Sequence, residues 1–245
     1  MTINLNIPRS WKEVTLPQLR ILAEHSLAQM SREESAIALF CKLAGVTIVQ
    51  KPMDQEGNLE GMLRCVDAEG NSFSIDADTM NGMCHTLDWY FDEMPCDIVC
   101  PLEGVNRWLL ETKFGKYFHA DSLMFGFSTT GNMEMVKGAM ADLGDDRQTL
   151  TEVDAVMMHL WWRGFKQWLT GEYPDVFAGD KDDNSGGGVY VPIKIRQNIM
   201  LLLNDGHPQD NDAIENSNVH DVLSALQHQI EVAKKEEEMM KKYRS

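Results

Sequence analysis

The sequence predicts an α+β protein that is predominantly helical, with a small antiparallel sheet near the N-terminus followed by a helical body. Three observations predict this class. Two capping boxes, Thr15–Gln18 and Ser31–Glu34, each precede apolar residues at helical spacing. Residues 46–76 contain three β-rich runs separated by turn sequences. The apolar positions of residues 151–171 cover about 220° of a helical wheel, which is typical of a core helix or an interface helix.

Composition and charge limit the classes of function. The chain has 245 residues, 43% of them hydrophobic, which is enough for one large domain or two small ones. Its net charge of −16 argues against general nucleic-acid binding, because neutralising phosphates requires clustered Lys and Arg. Five irregularly spaced cysteines fit reduced thiols in a cytoplasm. No signal peptide is recognised at the N-terminus, and charged residues interrupt the 151–171 segment, so no membrane span is predicted.

The first part of the chain is predicted to hold a short strand and an αα-hairpin. Ile3, Leu5 and Ile7 alternate with polar residues, as in a strand. The capping boxes then open two short helices in succession, the second ending at Gly45. The residues expected to face inward are Leu16, Leu19, Leu22, Ala23 and Leu27 in the first helix, and Ile37, Phe40 and Leu43 in the second.

A small antiparallel sheet is predicted next. Its strands are expected at Val46–Val49, Met62–Val66 and Ser72–Ile75, with DQEGN and DAEGN as the turns between them. Because so small a sheet needs a cover, residues 79–92 are predicted to form a helix that packs on it.

The second part is predicted to be helical around residues 151–171. Thr151 and Asp154 form a variant capping box, and Gly171 with Pro174 marks the end of this helix. The flanking predictions are two short helical pieces around Gly115 within 106–127, a polar stretch at 128–150, an acidic glycine-rich loop at 179–188, a buried helix at Ile193–Leu203 and a polar loop at 204–217.

A final amphipathic helix is predicted to start near Asn216–Asn218. Its apolar residues follow a 4-3 spacing, which makes them the candidate interaction residues: Val219, Leu223, Leu226 and Ile230. The default interpretation is that this seam packs on the protein's own core, and the alternative is that it pairs with another chain. The end of the helix is charged throughout and is expected to be solvated or frayed.

The chain is divided at the irregular, proline-bounded link 93–101. Residues 1–100 are predicted to form the hairpin and sheet, and residues 101–245 the helical body with its C-terminal helix. A single domain spanning both is the alternative.

Cys84, His85, Cys96 and Cys100 are the one cluster with metal-ligand residue types close together in sequence. Only Cys96 and Cys100 have a suitable spacing, and adjacent residues such as Cys84 and His85 point about 100° apart on a helix. Buried or surface thiols are the simpler interpretation, and a small metal- or thiol-dependent enzyme is the alternative. No cofactor is predicted.

Two loop motifs depart from their templates. Residues 180–184 resemble the opening of a calcium loop, but Ser185 and Val191 replace the required Gly and Glu. Residues 126–131 have the glycine spacing of a phosphate loop but are followed by Asn-Met instead of Lys-Ser/Thr. The familiar hydrolase, zinc-protease and dinucleotide signatures are not found, which leaves a site assembled from distant residues as an open alternative.

The opening IPRSWKEVTLPQL (7–19) resembles the start of small accessory proteins of tailed bacteriophages. FGKYFHADSLMFGF (114–127) followed by VDAVMMHLWWRGF (153–165) is similar to a second pattern in such proteins. The resemblance implies a tail-assembly chaperone or a virion-associated structural protein. It carries over no functional residues.

We therefore expect a non-enzymatic phage assembly or virion protein that acts through protein–protein contacts. The expected partners are other phage subunits or further copies of the chain, with no nucleic acid and no membrane. The expected location is the host cytoplasm or the virion. An inhibitor whose acidic surface mimics nucleic acid ranks last, because the acidic residues are spread among loops.

Overall fold

The computed structural model is 68% helical, with a three-stranded antiparallel sheet at residues 47–76 followed by a helical body. The predicted fold class is confirmed. The chain forms two compact units, unit 1 (Met1–Pro101) and unit 2 (Leu102–Ser245). The structure describes residues 7–28, 30–52, 60–102, 105, 109, 111–147, 149–177, 192–204 and 207–244.

The described part of unit 1 contains four α-helices and three strands. In chain order these are α1 (Leu16–Ser26), α2 (Arg32–Ala44), β1 (Thr47–Gln50), β2 (Met62–Val66), β3 (Ser72–Asp76), α3 (Ala77–Cys84) and α4 (Asp88–Asp92).

Helices α1 and α2 form the predicted αα-hairpin. Both capping boxes are present, at Thr15 and at Ser31, and α2 ends at Gly45, whose φ of 65° favours glycine. The inward prediction is confirmed for the middle of α1 but wrong at its two ends. Leu19, Leu22, Ala23 and Phe40 are buried, Ile37 and Leu43 are half-buried, and Leu16 and Leu27 are 44% and 45% exposed.

The sheet has the order β1-β2-β3 with antiparallel neighbours, and its strands begin and end within one residue of the predicted bounds. Leu63 and Cys65 point to the buried face. Asp67 organises the second turn, because its carboxylate accepts hydrogen bonds from the backbone N–H groups of Glu69 and Asn71. The first turn sequence, 54–58, and the strand predicted at Ile3 and Leu5 lie outside the described residues.

The covering segment is interrupted, although a single helix at 79–92 was predicted. α3 is followed by a 3-10 turn at His85–Leu87 and then by α4. Asp76 caps α3 by accepting the N–H of Thr79 at 2.8 Å. Trp89 of α4 packs edge-to-face on Trp11 at 5.0 Å between ring centroids.

The described part of unit 2 contains seven α-helices. They are α5 (Phe114–Thr130), α6 (Met133–Asp142), α7 (Glu152–Glu172), α8 (Pro174–Phe177), α9 (Pro192–Leu203), α10 (Asn211–Asn216) and α11 (Val219–Arg244).

Helix α7 lies in the core of unit 2, as its apolar arc predicted. Its capping box is present, with Thr151 Oγ1 accepting the N–H of Asp154 at 3.2 Å. Trp161, Trp162 and Phe165 are each at most 3% exposed. Trp162 packs against Tyr117 of α5, with 5.5 Å between ring centroids.

Two predictions for unit 2 are wrong, and one helix was not predicted. Gly115 does not separate two helical pieces, because it lies in the first turn of α5, where a glycine interrupts little. Residues 106–108 and 110, in the first predicted piece, lie outside the described residues. The polar stretch 128–150 contains α6, which Asn132 caps. The loop predicted at 204–217 contains α10.

Candidate interaction surface

The first half of α11 belongs to the core of unit 2. Val219 and Leu223 are fully buried, and Leu226 is 2% exposed. Two backbone hydrogen bonds fix the start of the helix: the N–H of Phe114 donates to the carbonyl of Ser217, and the N–H of Val219 donates to that of Thr112, each at 2.9 Å. These three predicted interaction residues therefore pack on the protein's own core, as the default interpretation expected.

An apolar groove lies between α8, α9 and α11. Ile230, the fourth predicted interaction residue, is half-buried and lines it. Leu201 and Leu202 of α9 also line it and are 63% and 56% exposed, so the prediction of a buried helix at Ile193–Leu203 is wrong for this face. Adjacent exposed leucines beside a groove are typical of surface that another protein covers. We call this site the groove; its lining also includes Val176, Phe177, Ile195, Ile199 and Leu226, with Asp175 and Asn198 as the polar members.

Polar contacts hold α8 against the middle of α11 at one edge of the groove. Gln227 Nε2 donates to Asp175 Oδ2 at 3.2 Å, and the N–H of Asp175 donates to Gln227 Oε1 at the same distance. Lys234 forms an ion pair with Asp175. These groups satisfy one another and join α8 to α11 along this edge.

The second half of α11 extends away from the core. We call residues 231–244 the tail. The side chains of 231–243 are all exposed. The segment is helical, although a frayed end was one of the two expectations. Val232, Met239 and Tyr243 are 39%, 52% and 90% exposed. At about 100° per residue these three lie within about 40° of one another, which gives the tail one apolar stripe. Met240, 58% exposed, flanks it.

The predicted cysteine and histidine cluster does not converge. Cys84 is buried, and burial raises the pKa of its thiol to about 12. The His85 side chain is 75% exposed and pairs with Asp88 at 3.1 Å. Cys96 and Cys100 are half-buried. Among the described residues, which include all four, no group of three or more His, Cys, Asp or Glu side chains could hold a metal ion.

The phosphate-loop-like motif contributes no ligand geometry. Residues 126–131 are the last turn of α5 and its cap, and the hydroxyl of Thr130 donates to the carbonyl of Gly126 at 2.8 Å. Gly131 has a φ of 68° and ends the helix. The calcium-loop-like stretch from 180 to 191 lies outside the described residues.

Sequence reasoning missed a buried charged group in the core of unit 2. Asp121 of α5 is 1% exposed and accepts a hydrogen bond from the Trp162 indole at 2.9 Å. Its Oδ1 lies 3.1 Å from Lys166 Nζ, and burial lowers the pKa of Lys166 more than the attraction of Asp121 raises it. The available signal was a lone carboxylate within the aromatic segment 114–127. The group is structural, since it joins α5 to α7.

A second missed pair joins α1 to α2. His25 is 4% exposed, and its Nε2 lies 2.5 Å from Ser35 Oγ. Burial lowers the pKa of His25, and the nearby Lys42 lowers it further. A neutral imidazole beside a hydroxyl resembles a base and nucleophile, but the imidazole is buried inside the hairpin, where it connects the two helices.

Comparisons with protein families, curated proteins and solved structures gave no match. Within the described ranges, no helix combines the length and the hydrophobicity needed to cross a bilayer.

Proposed function

We propose that this chain is a non-enzymatic protein that acts through protein–protein contacts, as a phage assembly factor or as a virion component. The observation that best supports the proposal is the groove, where Leu201 and Leu202 are more than half exposed beside the buried Leu226. Apolar surface of this kind is costly in water unless a partner covers it. The resemblance of residues 7–19, 114–127 and 153–165 to phage accessory proteins supports the phage context.

The chemistry of the groove favours binding over catalysis. Its lining is mostly aliphatic, and its charged member, Asp175, already bonds to Gln227 and Lys234. Enzyme sites are typically concave and hold convergent polar groups with perturbed pKa values. Elsewhere, burial raises the pKa of the Cys41 thiol to about 11 and that of Cys84 to about 12, which keeps both protonated, the opposite of an activated nucleophile.

Two roles are compatible with this surface. An assembly chaperone would cover an apolar segment of its client, and the exposed Met239 and Met240 provide an adaptable surface for that purpose. A virion component would instead remain in a symmetric assembly of fixed stoichiometry. The ratio of captured subunits distinguishes the two roles.

The test is affinity capture of tagged protein from phage-producing host cells, with the bound proteins identified by mass spectrometry. We expect tail or capsid subunits in a fixed ratio. The variant Leu201→Asp/Leu202→Asp should lose them, because two charges cannot be buried against an apolar partner. Met94→Asp is the matched control, since Met94 is 55% exposed but belongs to unit 1. Circular dichroism checks that each variant is folded.

Two results would count against the proposal. One is the absence of any phage structural subunit from the captured material. The other is equal capture by the wild type and by the Leu201→Asp/Leu202→Asp variant, which would separate the groove from the function.

A further inference from the structure

We infer that the groove of one copy binds the tail of a second copy, so that the protein is a homodimer with two exchanged tails. The inference rests on the proposed function only in treating the groove as a protein-binding surface. It names a second copy of this chain as the occupant.

The tail cannot fill the groove of its own chain. Leu226 and Ile230 line the groove, and α11 continues beyond them as one uninterrupted helix to Arg244. At about 1.5 Å per residue, the 231–244 segment reaches about 20 Å farther along the same axis. Returning to the groove would require breaking α11. A tail that occupies the groove therefore comes from another molecule.

The tail has the form that such a groove recognises. An amphipathic helix binds an apolar groove through side chains spaced by whole helical turns. Val232, Met239 and Tyr243 have the spacing i, i+7 and i+11, and Glu236 is the one polar residue within the stripe. The side chains of the tail are exposed, so its apolar stripe is accessible to a groove lined by Leu201 and Leu202.

The tail and the rest of the chain carry net charges of opposite sign. Of the 22 basic and 38 acidic residues in the chain, five basic and four acidic lie in the tail, which gives it a net charge of +1 and leaves −17 on the remainder. The charged residue in the lining of the groove is Asp175, which pairs with Lys234 of its own chain, and the stretch from Met239 to Tyr243 contains two lysines and no acidic residue. A basic helix on an acidic chain is attracted to another copy of that chain.

Each copy supplies one groove and one tail, and a reciprocal exchange uses both. Two such contacts related by a two-fold axis close the assembly as a dimer, whereas a non-reciprocal arrangement would leave one groove and one tail uncovered at its ends. Lys234 remains paired with Asp175 of its own chain, which leaves the stretch from Met239 to Tyr243 as the part of the tail that enters the partner.

The experiment is mass determination of the full chain by light scattering during size exclusion, over a range of concentrations. We expect the wild type at twice the chain mass of 27.8 kDa. Met239→Glu/Tyr243→Glu disables the tail, and Leu201→Asp/Leu202→Asp disables the groove, so each variant alone is expected at the mass of one chain. Val49→Glu, at a 55% exposed position of unit 1, is the control and should remain dimeric.

Complementation separates a lost contact from a misfolded chain. The tail variant keeps an intact groove and the groove variant keeps an intact tail, so their mixture should form a heterodimer that neither forms alone. A monomeric wild type overturns the inference, and so does a dimer that both substitution pairs leave intact. A mixture that stays monomeric also overturns it, since one groove and one tail are then present without binding.

The outcome is distinguishable from that of the proposed function. A monomeric wild type that captures phage subunits through the groove refutes the exchange and leaves the proposed function standing. A dimer with exchanged tails that captures no phage subunit supports the exchange and refutes the proposed function.

Discussion

Replacing Asp121 by alanine is expected to destabilise unit 2 by about 3–5 kcal/mol. The carboxylate is 1% exposed and interacts with Trp162 at 2.9 Å and with Lys166 at 3.1 Å. Its loss leaves the Lys166 ammonium without this counter-charge, which costs about 3–5 kcal/mol when a buried pair is broken. It also removes this acceptor of the indole N–H, at about 1–3 kcal/mol. The expected total of about 3–5 kcal/mol lies below the sum of the two terms, because the Lys166 side chain is 23% exposed and can turn toward solvent.

Urea unfolding followed by tryptophan fluorescence measures this change, since Trp161, Trp162 and Trp168 all lie in α7. The full cycle compares Asp121→Ala, Lys166→Met and the double variant. We expect the double variant to be more stable than the sum of the single changes implies, by about 1–3 kcal/mol, because removing both charges leaves none uncompensated.

Glu134 and Lys137 provide the control cycle, since they form an exposed pair at 2.7 Å one turn apart on α6. Their coupling should be at most about 0.5 kcal/mol. If Asp121→Ala costs less than about 1 kcal/mol, or if the Asp121 and Lys166 changes are additive, the assignment of a structural buried pair is refuted.

Three further predictions concern the thiols, the buried histidine and two glycines. In the folded protein a thiol reagent at pH 8 should label Cys96 and Cys100 first and leave Cys41 and Cys84 unreacted until denaturant is added. The reason is that burial raises the pKa of the Cys41 thiol to about 11 and that of the Cys84 thiol to about 12. Prompt labelling of Cys84 would contradict this. Because burial lowers the pKa of His25, the unfolded chain takes up the proton first, so stability is lost as the pH falls from about 6.5 toward the folded pKa, with a slope of at most about 1.4 kcal/mol per pH unit. His25→Gln should flatten this loss in pH-dependent urea unfolding, whereas His207→Gln, at an exposed position, controls for removal of an imidazole. Gly45→Ala should destabilise the protein by about 1 kcal/mol in thermal unfolding, because φ at Gly45 is 65°. Gly171→Ala should stabilise it by about 0.5 kcal/mol, because Gly171 lies in the last turn of α7 with open space around it.

The sequence predicted best those features that neighbouring residues determine. The capping boxes at Thr15, Ser31 and Thr151 are formed because each side chain bonds to backbone groups only three residues away. Strands β2 and β3 were predictable because β-rich runs and the Asp67 turn are local as well. These features require no knowledge of what packs on them.

Features that depend on distant residues were not predictable. Gly115 looked like a helix breaker, but it lies close to the Glu215 side chain, and a Cβ there would collide with that carboxylate. The prediction could not anticipate that α10 brings Glu215 to this position. α6 was missed because its polar and Met-rich sequence has a weak pattern, and its inward face is set by α5 and α7.

The candidate interaction surface was predictable only in part. The 4-3 spacing identified the seam from Val219 to Ile230, but the same spacing serves a core and an interface. Burial against the chain itself distinguishes the two, and it assigns Val219, Leu223 and Leu226 to the core. The exposure of Leu201 and Leu202 was not predictable, because nothing in the sequence distinguishes an exposed leucine in this helix from a buried one.

The backbone hydrogen bonds between the starts of α5 and α11 have a consequence for the order of folding. Lys113 and Asn218 pair across about a hundred intervening residues, so this contact closes a very long loop. A chain emerging from the ribosome holds α5 long before α11 exists. The surface of α5 that α11 covers is therefore exposed until residues 219–226 have been synthesised, and only then can unit 2 complete its core.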